Sequence, residues 1–319
     1  MTDKAELIKT LCESYCLAIT QPNGSLALNE NSEQYRLTNN GILFHELSYP
    51  ELVEAVIGLS QVLLHSNMTE IRHNDHLHLW SWCGELFLGC MAQRKLHQTS
   101  DTPQDINNLY TTTIHSNLAK IKEYSRELGT YEEMQNNREK VQNHYASELV
   151  NKAHLVSAYL SFPLLEGLLK QKCSAYVTMD GKVIQEFNAQ HIKYVPEKTQ
   201  GKGKTTCSSI QDLLFLYHDY VANDHGKESI TKLNNHLKKH SPELHPFALI
   251  KNWRNSSLHG STSFNTIGST ILHYCFLISL LDIEQTFNQV RADALISVHA
   301  AVNFKMAPHR MFWSYYPPC

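Results

Sequence analysis

Two neighbouring segments decide the expected fold: PFALIKNWRNSSLHG at residues 246–260 and TIGSTILHYCFLISLLDIEQTFNQ at residues 266–289. Proline is favoured at the first position of a helix and glycine commonly ends one, so the first segment predicts a helix that begins at Pro246 and ends near Gly260. The second segment is the most apolar in the chain. It predicts one helix from Thr266 to Gln289 that packs against the first.

The composition is that of a globular protein without an overall positive field. The chain has 319 residues, of which 42% are hydrophobic and 18% charged, which is long enough for two domains. Its formal net charge is −3 with neutral histidines, so any contact with a nucleic acid has to be local. The apolar run at 271–281 is shorter than the roughly 20 residues that cross a bilayer, so no membrane segment is expected.

The cysteines and the first residues indicate the compartment. The chain has 8 cysteines and no Cys-x-x-Cys pair, and it starts Met-Thr-Asp-Lys-Ala-Glu without the features of a signal peptide. Reduced thiols and a cytoplasmic location are therefore expected.

Helical spacing of apolar residues runs through most of the chain. A polar stretch at 135–144 separates an expected N-terminal helical domain of unknown role (1–140) from a C-terminal domain (141–319). Within the second domain, Tyr176 to Ile184 predicts a β-hairpin, because Asp180-Gly181 tolerates the positive φ angles of a type I′ turn. The expected fold is mainly α with a small β-hairpin insertion.

An arginine and a histidine lie close together in the first helix, at Arg254 and His259. Two other pairs in the chain have a comparable spacing, Arg72 with His78 and Arg138 with His144, so the spacing alone is not diagnostic. Arg254 differs by its context: Asn255 follows it, Ser256-Ser257 form a small-residue centre, Gly260 directly follows the histidine, and an apolar helix lies downstream.

Arg254-Asn255-Ser256-Ser257-Leu258-His259 resembles the motif of the HEPN superfamily, whose ribonuclease members carry arginine, a polar residue that is often asparagine, three variable residues and then histidine. The resemblance extends loosely over residues 150–289 and implies a HEPN-like helical bundle. It implies a metal-independent endoribonuclease without cofactors, in which His259 transfers protons, Arg254 stabilises charge on phosphoryl oxygens and Asn255 orients either the histidine or the phosphate. It also implies an RNA substrate, a homodimer with a composite site, and a role as a toxin or antiviral effector with an antitoxin or sensor partner.

The residue types suit this chemistry, but the spacing constrains the geometry. Arginine offers a planar fork for phosphate oxygens, and histidine moves protons near neutral pH. Positions five apart on an ideal helix differ by about 140°, so Arg254 and His259 do not share a face. Three arrangements stay open: the helix ends or bends at Ser256-Ser257, the arginine reaches round, or two chains pool their residues.

Other residues complete the candidate site. Glu166 is a lone acid in an apolar helix, and Arg254 is its candidate partner; the alternative is that it faces solvent. Lys202 and Lys204 lie in a Lys/Gly loop that suits weak contact with RNA phosphates, although such loops are more often only solvated. The loop lacks the first glycine of a Walker motif, since position 198 is lysine.

No metal site is expected. His73, His76, His78, Cys83 and Cys90 form the most metal-like group, but their spacing fits no standard zinc motif.

The rival to the nuclease is a non-catalytic interaction or assembly module built on the same kind of bundle. The net negative charge favours this rival mildly. The complete Arg/Asn/His set favours the enzyme.

Overall fold

The computed structural model describes residues 3–27, 30–66, 74–89, 104–118, 149, 152–198, 202–258 and 264–303. These residues are mainly helical, as expected. The helices are α1 (Lys4–Ile19), α2 (Glu30–Glu33), α3 (Tyr49–Ser66), α4 (Asn74–Gly84), α5 (Gln104–Leu118), α6 (Ala153–Lys172), α7 (Ile210–Leu216), α8 (Asp224–His240), α9 (Pro246–Leu258), α10 (Phe264–Asp282) and α11 (Phe287–Asn303). Shorter 3₁₀ or π-helical turns cover Thr38–Asn40, Phe44–Glu46, Glu85–Gly89, Tyr217–Val221 and Glu284–Thr286.

Helix α10 forms the centre of the bundle. Every residue from 267 to 280 is buried, and the helix packs mainly against α6 and α3. A helix that is apolar on all sides has to be covered on all sides, which explains this position. The single helix expected from Thr266 to Gln289 is wrong, because α10 ends at Asp282 and α11 starts at Phe287. Three of the intervening residues, Glu284, Gln285 and Thr286, are polar and at least partly exposed, so the chain leaves the core there.

Within the described residues, no single helix is both long and apolar enough to cross a membrane. Two segments joined by a 66° bend, Ile267–Asp282 and Glu284–Ile296, meet the length and composition criteria together.

Helices α6 and α10 approach closely at Gly268. A methyl group at this position would lie 2.6 Å from the backbone nitrogen of Ala158 and 2.7 Å from Ser157 Oγ. Beside this contact, Asn117 Nδ2 of α5 donates to Ser157 Oγ at 2.7 Å, and Ser269 Oγ donates to Asn117 Oδ1 at 2.7 Å. A close backbone contact and a buried polar network therefore hold α5, α6 and α10 together.

The β-hairpin forms at residues 187–194, further along the chain than the expected 176–184. Val177 and Val183 make only an isolated bridge, whereas β1 (Phe187–Ala189) and β2 (Ile192–Tyr194) form the two-stranded antiparallel sheet. The turn at Asp180-Gly181 exists, but only Gly181 has a positive φ, so the expected type I′ turn is wrong. The side chains of Phe187 and Tyr194 stack with their ring centroids 4.7 Å apart, which stabilises the downstream pairing.

The expected boundary near residue 140 lies outside the described residues. Helices that precede and follow it share one hydrophobic core, in which α3 packs against α10 and α5 packs against α6. The division into 1–140 and 141–319 stays a prediction.

A buried histidine links the two parts of the chain. His273 of α10 lies between Trp80 of α4 and Val56 of α3: its Nε2 accepts from Trp80 Nε1 at 3.0 Å, and its Nδ1 lies 2.8 Å from the Val56 carbonyl oxygen. An indole N–H can only donate and a carbonyl can only accept, so the neutral ring with its proton on Nδ1 satisfies both contacts. Burial lowers the pKa of His273 to about 4 from its ordinary value of 6.5, although the bond to Val56 acts in the opposite direction.

Acidification is expected to destabilise the protein through His273. The unfolded chain takes up a proton on His273 near pH 6.5 and the folded chain only near pH 4, so stability is complete above about 6.5 and falls as the pH drops toward 4. The loss attributable to His273 is on the order of 3 kcal/mol. Urea unfolding at several pH values should show a flatter profile for His273→Gln than for wild type. If the two profiles are parallel between pH 6.5 and 4, this account of His273 is wrong.

Candidate functional site

Helix α9 presents Arg254 on its packed side. Phe247, Ile250, Arg254 and Ser257 follow one another at spacings of three or four residues, which places them on one face. Phe247, Ile250 and Ser257 are buried, Arg254 is half-buried and Asn255 is exposed. The helix begins at Pro246, as expected, and its packed face contacts α6, α7 and α8. The arginine is therefore held between a folded core and solvent.

Arg254 reaches Glu166 of α6, 88 positions away in the chain. Its Nη2 lies 3.4 Å from Glu166 Oε2, so the contact expected from the sequence is confirmed. Lys170, one turn further along α6, places its Nζ 2.8 Å from Glu166 Oε1. Sequence reasoning missed Lys170, although its spacing of four residues from Glu166 would have indicated the pair.

The three charged groups leave a positive balance at this surface. Two cations share one carboxylate, and the side chains of Lys170 and Glu166 are 12% and 18% exposed against 33% for Arg254. The 3.4 Å contact is longer than the about 2.7–2.9 Å of a strong charge-assisted hydrogen bond. Glu166 therefore orients the guanidinium without occupying all five of its N–H donors, and an anion from solvent can compete for them.

A pocket of about 260 Å³ opens between α6 and α9 at these residues. Arg254, Lys170, Glu166 and Ser257 line one part of it. The remaining wall consists of Tyr159, Phe162, Pro163, Gly167 and Met179. The pocket thus combines a charged wall with a largely apolar one, an arrangement typical of small-molecule and cofactor sites.

Part of the predicted motif lies beyond the described residues. α9 is helical through Ser256 and Ser257 and ends at Leu258, whereas His259 and Gly260 are outside the description. An end of the helix at Ser256-Ser257 is therefore wrong, because the backbone continues its helical hydrogen bonding to Leu258. The placement of His259 relative to Arg254 stays a prediction.

The two loop lysines are exposed and lie outside the set of residues that line this pocket. Lys204 pairs with the hairpin, since its backbone nitrogen donates to the Lys193 carbonyl at 2.9 Å. Both Lys202 and Lys204 face solvent. Their contact with RNA stays a prediction.

The metal-like group of histidines and cysteines is only partly described, since His73 and Cys90 fall outside it. His76 Nε2 lies 3.0 Å from the Leu59 carbonyl oxygen, and burial raises the pKa of the Cys83 thiol well above its ordinary value. Within the described parts of the chain, no three His, Cys, Asp or Glu side chains are arranged to hold a metal ion.

Comparisons with protein-family models, with curated proteins and with solved structures found no match. The fold and the site define a mainly α protein with a positively charged pocket beside its Arg-Asn pair.

Proposed function

We propose that the protein is a metal-independent endoribonuclease whose site is centred on Arg254, Asn255 and His259. The observation that carries the proposal is the position of Arg254, whose partly exposed guanidinium lines a pocket and is oriented by Glu166. A preorganised cation of this kind stabilises charge that develops on a phosphoryl group during reaction. Asn255, on the exposed side of the same helix, is accessible to a large substrate.

The reaction uses the substrate's own nucleophile. The 2′-oxygen of the RNA bonds to the adjacent phosphorus, and the bond from phosphorus to the 5′-oxygen of the next nucleotide breaks. A base removes the 2′-hydroxyl proton and an acid protonates the departing 5′-oxygen, which gives a 2′,3′-cyclic phosphate and a 5′-hydroxyl end. His259 carries protons, Arg254 binds phosphoryl oxygens, and Asn255 orients the histidine or the phosphate. DNA lacks the 2′-hydroxyl and is not cleaved.

In this proposal, a second copy of the chain brings a histidine close to Arg254. Arg254 lies on the packed face of α9, while a position five residues later is rotated by about 140° on a continuing helix. Pooling the arginine of one chain with the histidine of another brings both to a single phosphate. The setting in a cytoplasmic toxin or antiviral effector, with an antitoxin or sensor partner, follows from the HEPN resemblance.

One observation favours the non-catalytic alternative. Arg254 already has a carboxylate partner in Glu166, and an ion pair that joins α6 to α9 is sufficient reason for both residues in an interaction module. In that case, Arg254 contributes to stability and the protein cuts no RNA.

Cleavage of total RNA in EDTA tests the proposal. Wild type is expected to cut RNA. The cleavage rate of His259→Ala is expected to be lower by about 10²-fold or more, because a positioned proton-transfer group contributes that much. His191→Ala serves as the matched control, because His191 is exposed in the turn between β1 and β2. Equal cutting by His259→Ala and wild type, or no cutting by wild type, rejects the nuclease.

A further inference from the structure

Ser257, near the end of α9, carries a hydroxyl that is buried in the fold. The residue is 1% exposed, and its Oγ has no hydrogen-bond partner among the residues that the structure describes. Leaving a hydroxyl unpaired in the interior costs stability, so such a group calls for an explanation. Because Ser257 also lines the pocket between α6 and α9, a ligand in that pocket can supply the partner.

The groups around Ser257 favour an anionic partner. Arg254 lies three positions earlier on the same face of α9, and Lys170 lines the pocket from α6. With Glu166 as their shared counter-ion, the two cations keep a net positive charge beside the hydroxyl. A cation, a second cation and a hydroxyl donor around one space match the several acceptor oxygens of a phosphate group.

The opposite wall of the pocket fits a flat apolar group. Tyr159, Phe162 and Pro163 follow one another on the face of α6 that bears Glu166, and Met179 approaches from the segment after that helix. Tyr159 and Met179 are 41% and 43% exposed, which is high for large apolar side chains that line a concavity. Aromatic and thioether side chains are favourable contacts for a nucleobase.

We propose that this pocket is a subsite for a single nucleotide, with the phosphate on Arg254, Lys170 and Ser257 and the base against Tyr159 and Met179. Its volume of about 260 Å³ lies just below the about 300–1,000 Å³ of typical ligand sites, which suits one nucleotide and excludes a base pair. This subsite adds a binding site to the proposed nuclease, and the assignment of RNA as its natural ligand rests on that proposed function. A free nucleotide offers the same chemistry, so mononucleotides are suitable probes.

The test compares uridine 5′-monophosphate with uridine and with inorganic phosphate by isothermal titration calorimetry. Wild type is expected to bind the nucleotide more tightly than either part. Ser257→Ala is expected to raise the Kd for the nucleotide about tenfold, because one hydrogen bond to a charged group is lost. The same variant is expected to keep or raise the melting temperature of the free protein, because an unpaired buried hydroxyl is removed.

Ser60→Ala is the matched control. Ser60 of α3 is also fully buried and its Oγ also has no partner within the described residues, but it lies outside the pocket lining. This variant should change the melting temperature in the same direction without changing the Kd. Tyr159→Ala should remove the advantage of the nucleotide over inorganic phosphate, whereas Tyr159→Phe should retain it.

Several results would overturn the subsite: no nucleotide binding by wild type, the same Kd for Ser257→Ala and wild type, or equal affinities for the nucleotide and inorganic phosphate. These results are separable from failure of the nuclease. Nucleotide binding without RNA cleavage rejects the nuclease and keeps the subsite. RNA cleavage without nucleotide binding rejects the subsite and keeps the nuclease.

Discussion

Replacing Gly268 with alanine is expected to destabilise the protein by about 1–3 kcal/mol or more, the usual cost of overpacking a core. The added methyl group would lie 2.6 Å from the backbone nitrogen of Ala158 and 2.8 Å from its Cα. A backbone cannot move aside as the end of a side chain can, so α6 and α10 must separate. The shift would also disturb the buried bond between Asn117 and Ser157.

Gly167→Ala is the matched control for this prediction. Gly167 also lies within a packed helix, α6, but an added methyl would meet only the side chain of Ile106, at 3.3 Å. Alanine has a higher helix propensity than glycine by up to about 1 kcal/mol, so this variant is expected to be neutral or more stable. Midpoints of urea unfolding measure both variants. A Gly268→Ala protein as stable as wild type would show that the two helices do not meet as closely as described.

Replacing Arg254 with alanine is expected to lower the rate of RNA cleavage by about 10²–10³-fold, the effect of removing one preorganised donor from a developing charge. Arg254→Lys should recover only part of the loss, because an ammonium cannot reproduce the planar fork. Lys251→Ala is the control: it removes an exposed positive charge from the same helix and lies outside the pocket lining. It should cut RNA within a few-fold of wild type.

Glu166→Gln separates catalysis from a structural ion pair. If the protein is the nuclease, the loss of the carboxylate leaves Arg254 charged but less well oriented. The cleavage rate then falls, and the remaining cleavage still depends on Arg254. In the interaction module, Arg254→Ala and Glu166→Gln change unfolding midpoints by similar amounts, and no variant cuts RNA. Cleavage rates and unfolding midpoints measured on the same preparations distinguish the two.

Local features of the sequence account for where several helices begin. Asp3 caps α1 and its Oδ1 accepts from the Ala5 nitrogen, Ser209 caps α7 by accepting from the Asp212 nitrogen, and Pro246 opens α9. Caps and first-turn prolines act within a few residues, so a sequence pattern contains the information for them. The sequence did not predict the end of α10 at Asp282, because this end depends on where the neighbouring helices stop covering α10.

The candidate site was predicted in part for a related reason. A lone acid in an apolar helix requires a partner, and this led to the contact between Glu166 and Arg254. The hydroxyl of Ser257, unpaired within the described residues, and the pocket wall at Tyr159 depend on how α6 and α9 pack. No residue spacing within either helix specifies this packing. The motif is therefore visible in the sequence, whereas the pocket follows only from the tertiary packing of α6 and α9.

The most direct test of the central claim is the chemistry of the ends left on RNA by purified wild-type protein in EDTA. The nuclease predicts a 2′,3′-cyclic phosphate on the upstream fragment and a 5′-hydroxyl on the downstream fragment, both greatly reduced with Arg254→Ala. Fragments with 3′-hydroxyl and 5′-phosphate ends, or RNA that stays intact under every condition in which the protein is folded, would contradict it.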